Sequence, residues 1–196
     1  MTMVWLRHGE TALNAARVMQ PADTPLSARG LAQARAAAER LAALRPAAIV
    51  SSDLPRALQT AEALAALTGL PVHTEPLLQE RNFGAWRGRP WDELGFDATT
   101  MEAAPEGGES LAAFLQRCDA AWAAMVSRRA AVGGPLVVVS HGLLIHAVLR
   151  RHARLDAGLT LPERLANTAV SEVDAAPPHR ARRVGCVAHL APLADP

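Results

Sequence analysis

Three short apolar runs in this chain break off in the same way. Met3-Val4-Trp5-Leu6 runs into Arg7-His8-Gly9-Glu10-Thr11, Ala48-Ile49-Val50 into Ser51-Ser52-Asp53, and Leu136-Val137-Val138-Val139 into Ser140-His141-Gly142. Continuous apolar runs this short read as strands buried on both faces. Between them the apolar residues recur at helical spacing. Leu31, Ala34, Ala38 and Leu41 mark a helix from Ser27, a fitting N-cap, to Leu44, stopped by Pro46. Further helices are expected from about Leu54 to Leu67 with Gly69 closing it, from Ser110 to about Ala131, and after Ser140-His141-Gly142 to about Leu155. Pro71 to Thr74, Ala169 to Val173 and Val184 to Leu190 complete the set of strands. Strands alternating with helices predict an α/β fold, a three-layer α/β/α sandwich with a mostly parallel central sheet. In such sheets, sites gather at the carboxyl ends of the strands. Three strand ends here carry Arg7-His8, Ser52-Asp53 near Arg56, and His141.

At 196 residues the chain reads as a single domain, 1–196. One stretch fits neither period: residues 77–109 are rich in Gly, Pro, Trp and charge. Long irregular stretches inside compact domains are usually functional, so this one reads as a lid-like insertion or a substrate wall. Trp86 is expected to anchor it to the core; Trp91 could anchor or line the pocket.

The residues at the strand ends suit one chemistry. A neutral imidazole keeps a free lone pair on one ring nitrogen and is a capable nucleophile at neutral pH. Attack on phosphorus needs the equatorial oxygens held by fixed positive charge, which the planar fork of arginine supplies. Arg7 and Arg56 can give that charge to a reaction at His8, with His141 and the turn amides as further donors. A leaving oxygen needs a proton, and a carboxylic acid beside a dianionic substrate is a natural source. Glu80 is the candidate, with Glu75 and Glu93 in the same region as alternatives. Taken singly, Arg56 could be a surface ion pair and Asn14 a helix-interior polar residue.

Several blocks in order carry a resemblance. Leu6-Arg7-His8-Gly9-Glu10-Thr11 with Asn14 resembles the signature of the histidine phosphatase (phosphoglycerate-mutase-like) superfamily. So do Asp23 to Ser27 with Gly30 and Gln33-Ala34, Ser51 to Ala57 with Gln59-Thr60-Ala61, and Leu78-Gln79-Glu80 with Phe83-Gly84 and Trp86-Arg87-Gly88. Gly107-Gly108-Glu109-Ser110 and Val138 to Gly142 follow in place. The resemblance implies that His8 is the phosphorylated nucleophile and that Arg7, Arg56 and His141 bind the phosphoryl oxygens, with Asn14 helping. It implies Glu80 as general acid and base, a substrate-facing Gln20, a backbone N–H from Gly142 near the phosphate, and no metal or other cofactor. Pro21 departs from the pattern, where a glycine is usual.

A phosphatase and a mutase share this machinery. Pro90 to Glu109 holds no Lys or Arg but does hold Asp92, Glu93, Asp97, Glu102 and Glu106, a poor clasp for a bisphosphate. The phosphatase branch is therefore expected, acting on a small phosphomonoester; Arg87 and Arg89 remain as substrate contacts to consider. A cofactor-dependent mutase and a non-catalytic phospho-ligand binder are the alternatives. The absence of GxSxG and of GxxxxGK[ST] argues against α/β-hydrolase and P-loop chemistry. A metal centre would need His8 and His141 with Asp53 or Glu80, and Arg7 opposes it. His73, His146, His152, His179 and His189 read as structural or exposed.

A formal charge of +1 gives no nucleic-acid signal, and no apolar run is long enough for a membrane. Arg7, His8 and Glu10 interrupt any apolar leader, so a cytoplasmic protein is expected, with a homodimer left open. The cluster His179, Arg180, Arg182 and Arg183 reads as a solvated turn or, alternatively, a phosphate-attracting rim. Cys118 and Cys186 read as reduced.

Overall fold

The computed structural model describes residues 1–193. The chain runs β1 (Thr2–Arg7), α1 (Ala12–Ala15), α2 (Ala28–Ala42), β2 (Ala48–Ser51), α3 (Pro55–Thr68) and β3 (Val72–Thr74). It continues through α4 (Leu111–Ala130), β4 (Leu136–Ser140), α5 (Gly142–His152), β5 (Arg154–Leu155), β6 (Val170–Asp174) and β7 (Arg180–Cys186). Local chemistry sets many of these ends. Ser27 and Ser110 accept the N–H groups of Gly30 and Ala113, and Gly69, at φ 71°, closes α3 with its N–H on Ala65.

One seven-stranded sheet has the order β3-β2-β4-β1-β6-β7-β5. β3, β2, β4 and β1 run parallel, as do β5 and β7, whereas β6 is antiparallel to both of its neighbours. The mostly parallel three-layer sandwich is therefore what the chain forms, with a mixed side. Alternation along β1 divides the core. Met3 and Trp5 pack with Leu136 and Val138 under α4 and α5, and Trp5 stacks on Trp122 at 6.0 Å. Val4 and Leu6 pack with Val137 and Val139 under α2 and α3.

Three expectations need correcting. The last helix ends at His152, not near Leu155: Ala153 turns extended, and Arg154 and Leu155 pair with Arg180 and Ala181. The last strand is Arg180–Cys186, not Val184 to Leu190, and Ala188–Leu193 forms 3-10 turns. Its charged run can be a strand because each arginine meets an acid, Arg182 on Asp174 and Arg183 on Glu172 across β6, both at 2.9 Å. Arg180 pairs with Asp156 at 2.9 Å, so this cluster is neither a free turn nor a phosphate rim.

The irregular stretch is built from short 3-10 turns at Pro76–Leu78, Gly84–Trp86 and Trp91–Glu93. Met19, Phe83, Leu94 and Ala98 form a small core there, with both Trp86 and Trp91 packed against it. Three backbone links stitch it to the segment after α1: Gly88 N–H to Met19 at 2.7 Å, Met19 N–H to Arg89 at 2.9 Å and Trp91 N–H to Arg17 at 2.9 Å, the last two forming an antiparallel bridge of Val18 with Pro90. Among the described residues no helix is long and apolar enough to cross a membrane.

The loop after β1 lies directly on α2. A Cβ on Gly30 would sit 1.9 Å from the Glu10 carbonyl oxygen, and one on Gly9 2.5 Å from that of Gly30. Only hydrogen fits at this crossing. Gly30→Ala must push the His8 loop off the helix, and a loss of about 1–3 kcal/mol is expected in urea unfolding. Leu67→Ser, at a side chain 56% exposed, is the control with little change.

Candidate active site

His8 follows the end of β1 and His141 the end of β4. The two strands pair in parallel with Arg7 opposite Ser140, which sets the two imidazoles side by side, ring centres 5.1 Å apart. Both rings are buried, His8 2% and His141 0% exposed. His8 Nδ1 lies 2.6 Å from the Gly9 carbonyl oxygen. A carbonyl only accepts, so Nδ1 carries the proton and the lone pair is left on Nε2. His141 Nε2 meets the Ser52 hydroxyl at 2.9 Å. A neutral His141 accepting from Ser52 holds its own proton on Nδ1, a buried nitrogen with no partner among the described residues. Burial, then the nearby arginines, hold both imidazoles well below the usual histidine range. Each is therefore neutral at pH 7.

Cations surround this pair without acids to match. Arg56, in the first turn of α3, is 3% exposed, and its Nη1 reaches the carbonyls of Pro21 at 3.3 Å and Ala22 at 3.4 Å. Burial lowers its pKa to about 10, with Glu80 opposing and Arg87 and Arg7 adding to the fall, so it stays charged. Arg7 is lowered by burial too; its Nη1 donates to the Leu165 carbonyl. The Nε atoms of Arg7, Arg56 and Arg87 are all buried with no partner among the described residues. Buried donors are normally satisfied, so unpaired ones grouped around two neutral imidazoles mark a place for an anion.

Glu80 comes from the irregular stretch and lands on the first turn of α5. Its Oε2 accepts from Leu143 N–H at 3.0 Å, and its Oε1 from Leu144 N–H at 3.2 Å and Arg81 N–H at 3.1 Å. Among the described residues it is the acid that raises the pKa of both Arg7 and Arg56. Glu75 instead pairs with Arg128 at 3.3 Å. Gly142 lies against Arg7, where a Cβ would be 3.4 Å from Nε. Asn14 Oδ1 is taken by Thr11 N–H and by the Asn167 amide, each at 3.2 Å, and Asn167 also donates to the His8 carbonyl at 3.2 Å. Gln20 Oε1 accepts from the Thr11 hydroxyl at 2.8 Å. Asn14 and Gln20 thus brace the His8 loop.

Sequence reading placed Ser52 at a converging strand end but gave it no role, passed over Thr60 and Asn167, and left Arg87 open. Thr60 accepts from Gly9 N–H at 3.1 Å and donates to the Arg56 carbonyl at 2.7 Å, tying the His8 loop to α3. Ser52 and Thr60 stood inside recognisable blocks; Asn167 carried no such signal. Thr168 beside it takes φ 53°, a strained backbone for a β-branched residue. No group of three or more His, Cys, Asp or Glu able to hold a metal occurs among the described residues.

Comparison with known proteins agrees with this geometry. The model of the histidine phosphatase superfamily (branch 1) matches residues 3–184. Glucosyl-3-phosphoglycerate phosphatase of Mycobacterium tuberculosis is 39% identical over 161 residues, 74% of this chain and 72% of that protein. A probable phosphoglycerate mutase GpmB of Yersinia pestis is 36% identical over 186 residues, 89% of this chain and 85% of its own. The structure of a mycobacterial glucosyl-3-phosphoglycerate phosphatase with VO3 superposes with a TM-score of 0.76 at 33% identity, covering 93% of this chain and 96% of that one.

The depressed histidines tie stability to pH. An unfolded chain binds protons at His8 and His141 near pH 6.5 that the folded chain does not, so stability is full above about 6.5 and falls as pH drops below it. Urea midpoints measured between pH 7 and 5 should fall, and His141→Gln should flatten that slope. An unchanged slope would mean that these imidazoles are not held neutral.

Proposed function

The chain belongs to the histidine phosphatase superfamily, and from that premise we propose that it hydrolyses a small phosphomonoester through a phosphohistidine on His8. What carries the proposal is the set of unpaired donors, Arg7 Nε, Arg56 Nε and His141 Nδ1, around a histidine whose free lone pair is on Nε2. A phosphoryl group offers acceptors for all three.

In the first step the Nε2 lone pair forms the N–P bond while the P–O bond to the leaving group breaks. The leaving oxygen takes a proton from Glu80. Water then attacks phosphorus, its proton passes to Glu80, and the N–P bond returns its electrons to His8 as inorganic phosphate departs. Arg7 and Arg56 hold the equatorial oxygens throughout, and Ser52 keeps His141 oriented toward them. Glucosyl-3-phosphoglycerate, the substrate named in the mycobacterial relatives, is the first ester to test.

A panel of phosphomonoesters, including 3-phosphoglycerate with and without 2,3-bisphosphoglycerate, tests this reading. Phosphate release by the wild type, with His8→Ala losing phosphoenzyme and at least about 10⁴-fold of turnover, is expected. Cofactor-stimulated isomerisation without release would make the protein a mutase. Glu80→Gln should lose about 100-fold on alkyl phosphates and only a few-fold on nitrophenyl phosphate, whose leaving group needs little protonation.

A further inference from the structure

Glu80 has no helix or strand of its own to hold it. It follows the 3-10 turn Pro76–Leu78 through Gln79, whose backbone is extended at φ −62°, ψ 152°. One guanidinium from α4 donates to three carbonyls of this stretch, and the Ser140 hydroxyl to that of Leu78 at 2.7 Å. Arg117 Nη1 donates to the carbonyls of Leu77 at 2.9 Å and Gln79 at 2.6 Å, and Nη2 to that of Glu80 at 3.3 Å. Its Nε and Nη2 also fork onto Glu109, at 2.9 Å to Oε1 and 2.8 Å to Oε2. Glu109 completes the grip from the far side. Its Oε2 accepts from Asn82 N–H at 3.3 Å and its carbonyl from Arg81 Nε at 3.2 Å.

The two arginines that reach Glu109 divide their contacts. Arg81, 1% exposed, sends its other donors into the insertion, to Ala98 and Thr99 at 3.1 Å and Met101 at 2.6 Å. Arg117 spends every donor on Glu109 or on the backbone at and before Glu80. The pair is largely buried, with side chains 19% and 15% exposed, so its geometry is not averaged by solvent. Burial works against the charge on Arg117, but the fork with Glu109 outweighs it and leaves the pKa raised. The same pair, with Glu80, Asn82 and Ser110, lines an open cleft of about 530 Å³.

We propose that Arg117 and Glu109 are positioning residues for the proton transfer: their ion pair sets the backbone of residues 77–82 so that the Glu80 carboxyl meets the leaving oxygen. The inference rests on Glu80 being the general acid. α4 holds the backbone from one side while the α5 amides hold the carboxylate from the other. Loosening the α4 hold should misplace the carboxyl while the contacts that fix His8, Arg7 and Arg56 stay as they are.

The test compares Arg117→Met, Arg117→Lys and Glu109→Gln on glycerol 3-phosphate and on nitrophenyl phosphate. A misplacement of about 1 Å costs about 10²-fold in a positioned step. Arg117→Met should therefore lose about 30- to 100-fold in kcat on the alkyl ester, under about threefold on the aryl ester, with KM within about twofold. Glu109→Gln, which keeps the shape of the pair, should show the same pattern at about tenfold, and Arg117→Lys should recover part of the loss. Adding Arg117→Met to Glu80→Gln should cost nothing more on the alkyl ester, because the group being positioned is gone. Equal losses on both esters, an additive double variant, or full activity in Glu109→Gln would overturn the proposal. If Glu80→Gln itself shows no leaving-group dependence, it is the acid assignment that fails; if it does and Arg117→Met does not, only the clamp fails.

Discussion

Everything in this site descends from the register of β1 on β4. With Arg7 opposite Ser140, both strands end at the same level, and the residues that follow them, His8 and His141, come out next to each other. A slip of one residue would turn Trp5 and Leu6 to the wrong faces, against cores built for Trp122 on one side and Leu41 and Leu64 on the other. Burial thus fixes the distance between the two imidazoles. β2 pairs with β4 on its other edge, Ser51 opposite Val139, which brings Ser52 to His141 and starts α3 where Arg56 faces the pair.

The electrostatics of the site work against the folded state by themselves. Arg56 and the Nε atom of Arg7 lie buried near one another, and among the described residues Glu80 is the acid that offsets both. Burying cations with incomplete partners costs several kcal/mol each in general. Thr168, strained at φ 53°, adds of order 1–3 kcal/mol at the wall of the site. An α/β sandwich with three well-filled layers can carry such a penalty, and an anion bound among the arginines would relieve it. Proteins commonly break local rules where they do chemistry and compensate elsewhere.

The strands and helices that build the site were legible because each is a buried run or an amphipathic period that ends in turn chemistry. Arg7, His8, Arg56, Glu80 and His141 were legible because they sit in blocks with recognisable neighbours, and the structure brings them together. What escaped depended on contacts between distant segments. Nothing in Arg154-Leu155 announces a strand, since its only partner is Arg180-Ala181. Charged β7 looked like a turn because the acids that neutralise it lie on β6 and beyond α5. Asn167 and Arg117 act on backbone carbonyls, and a carbonyl leaves no trace in a sequence. Arg87 faces Arg56 only because the stretch around it is pinned to the segment after α1.

That pinning has a bearing on how the site can move. The backbone links between residues 17–19 and 88–91 join the two segments into one ribbon, with Arg17 and Asp92 paired at 3.0 Å on its outer edge. Segments sewn together shift as one body, so Gln20 and Arg87, the immediate neighbours of that seam, are carried with it rather than moving singly.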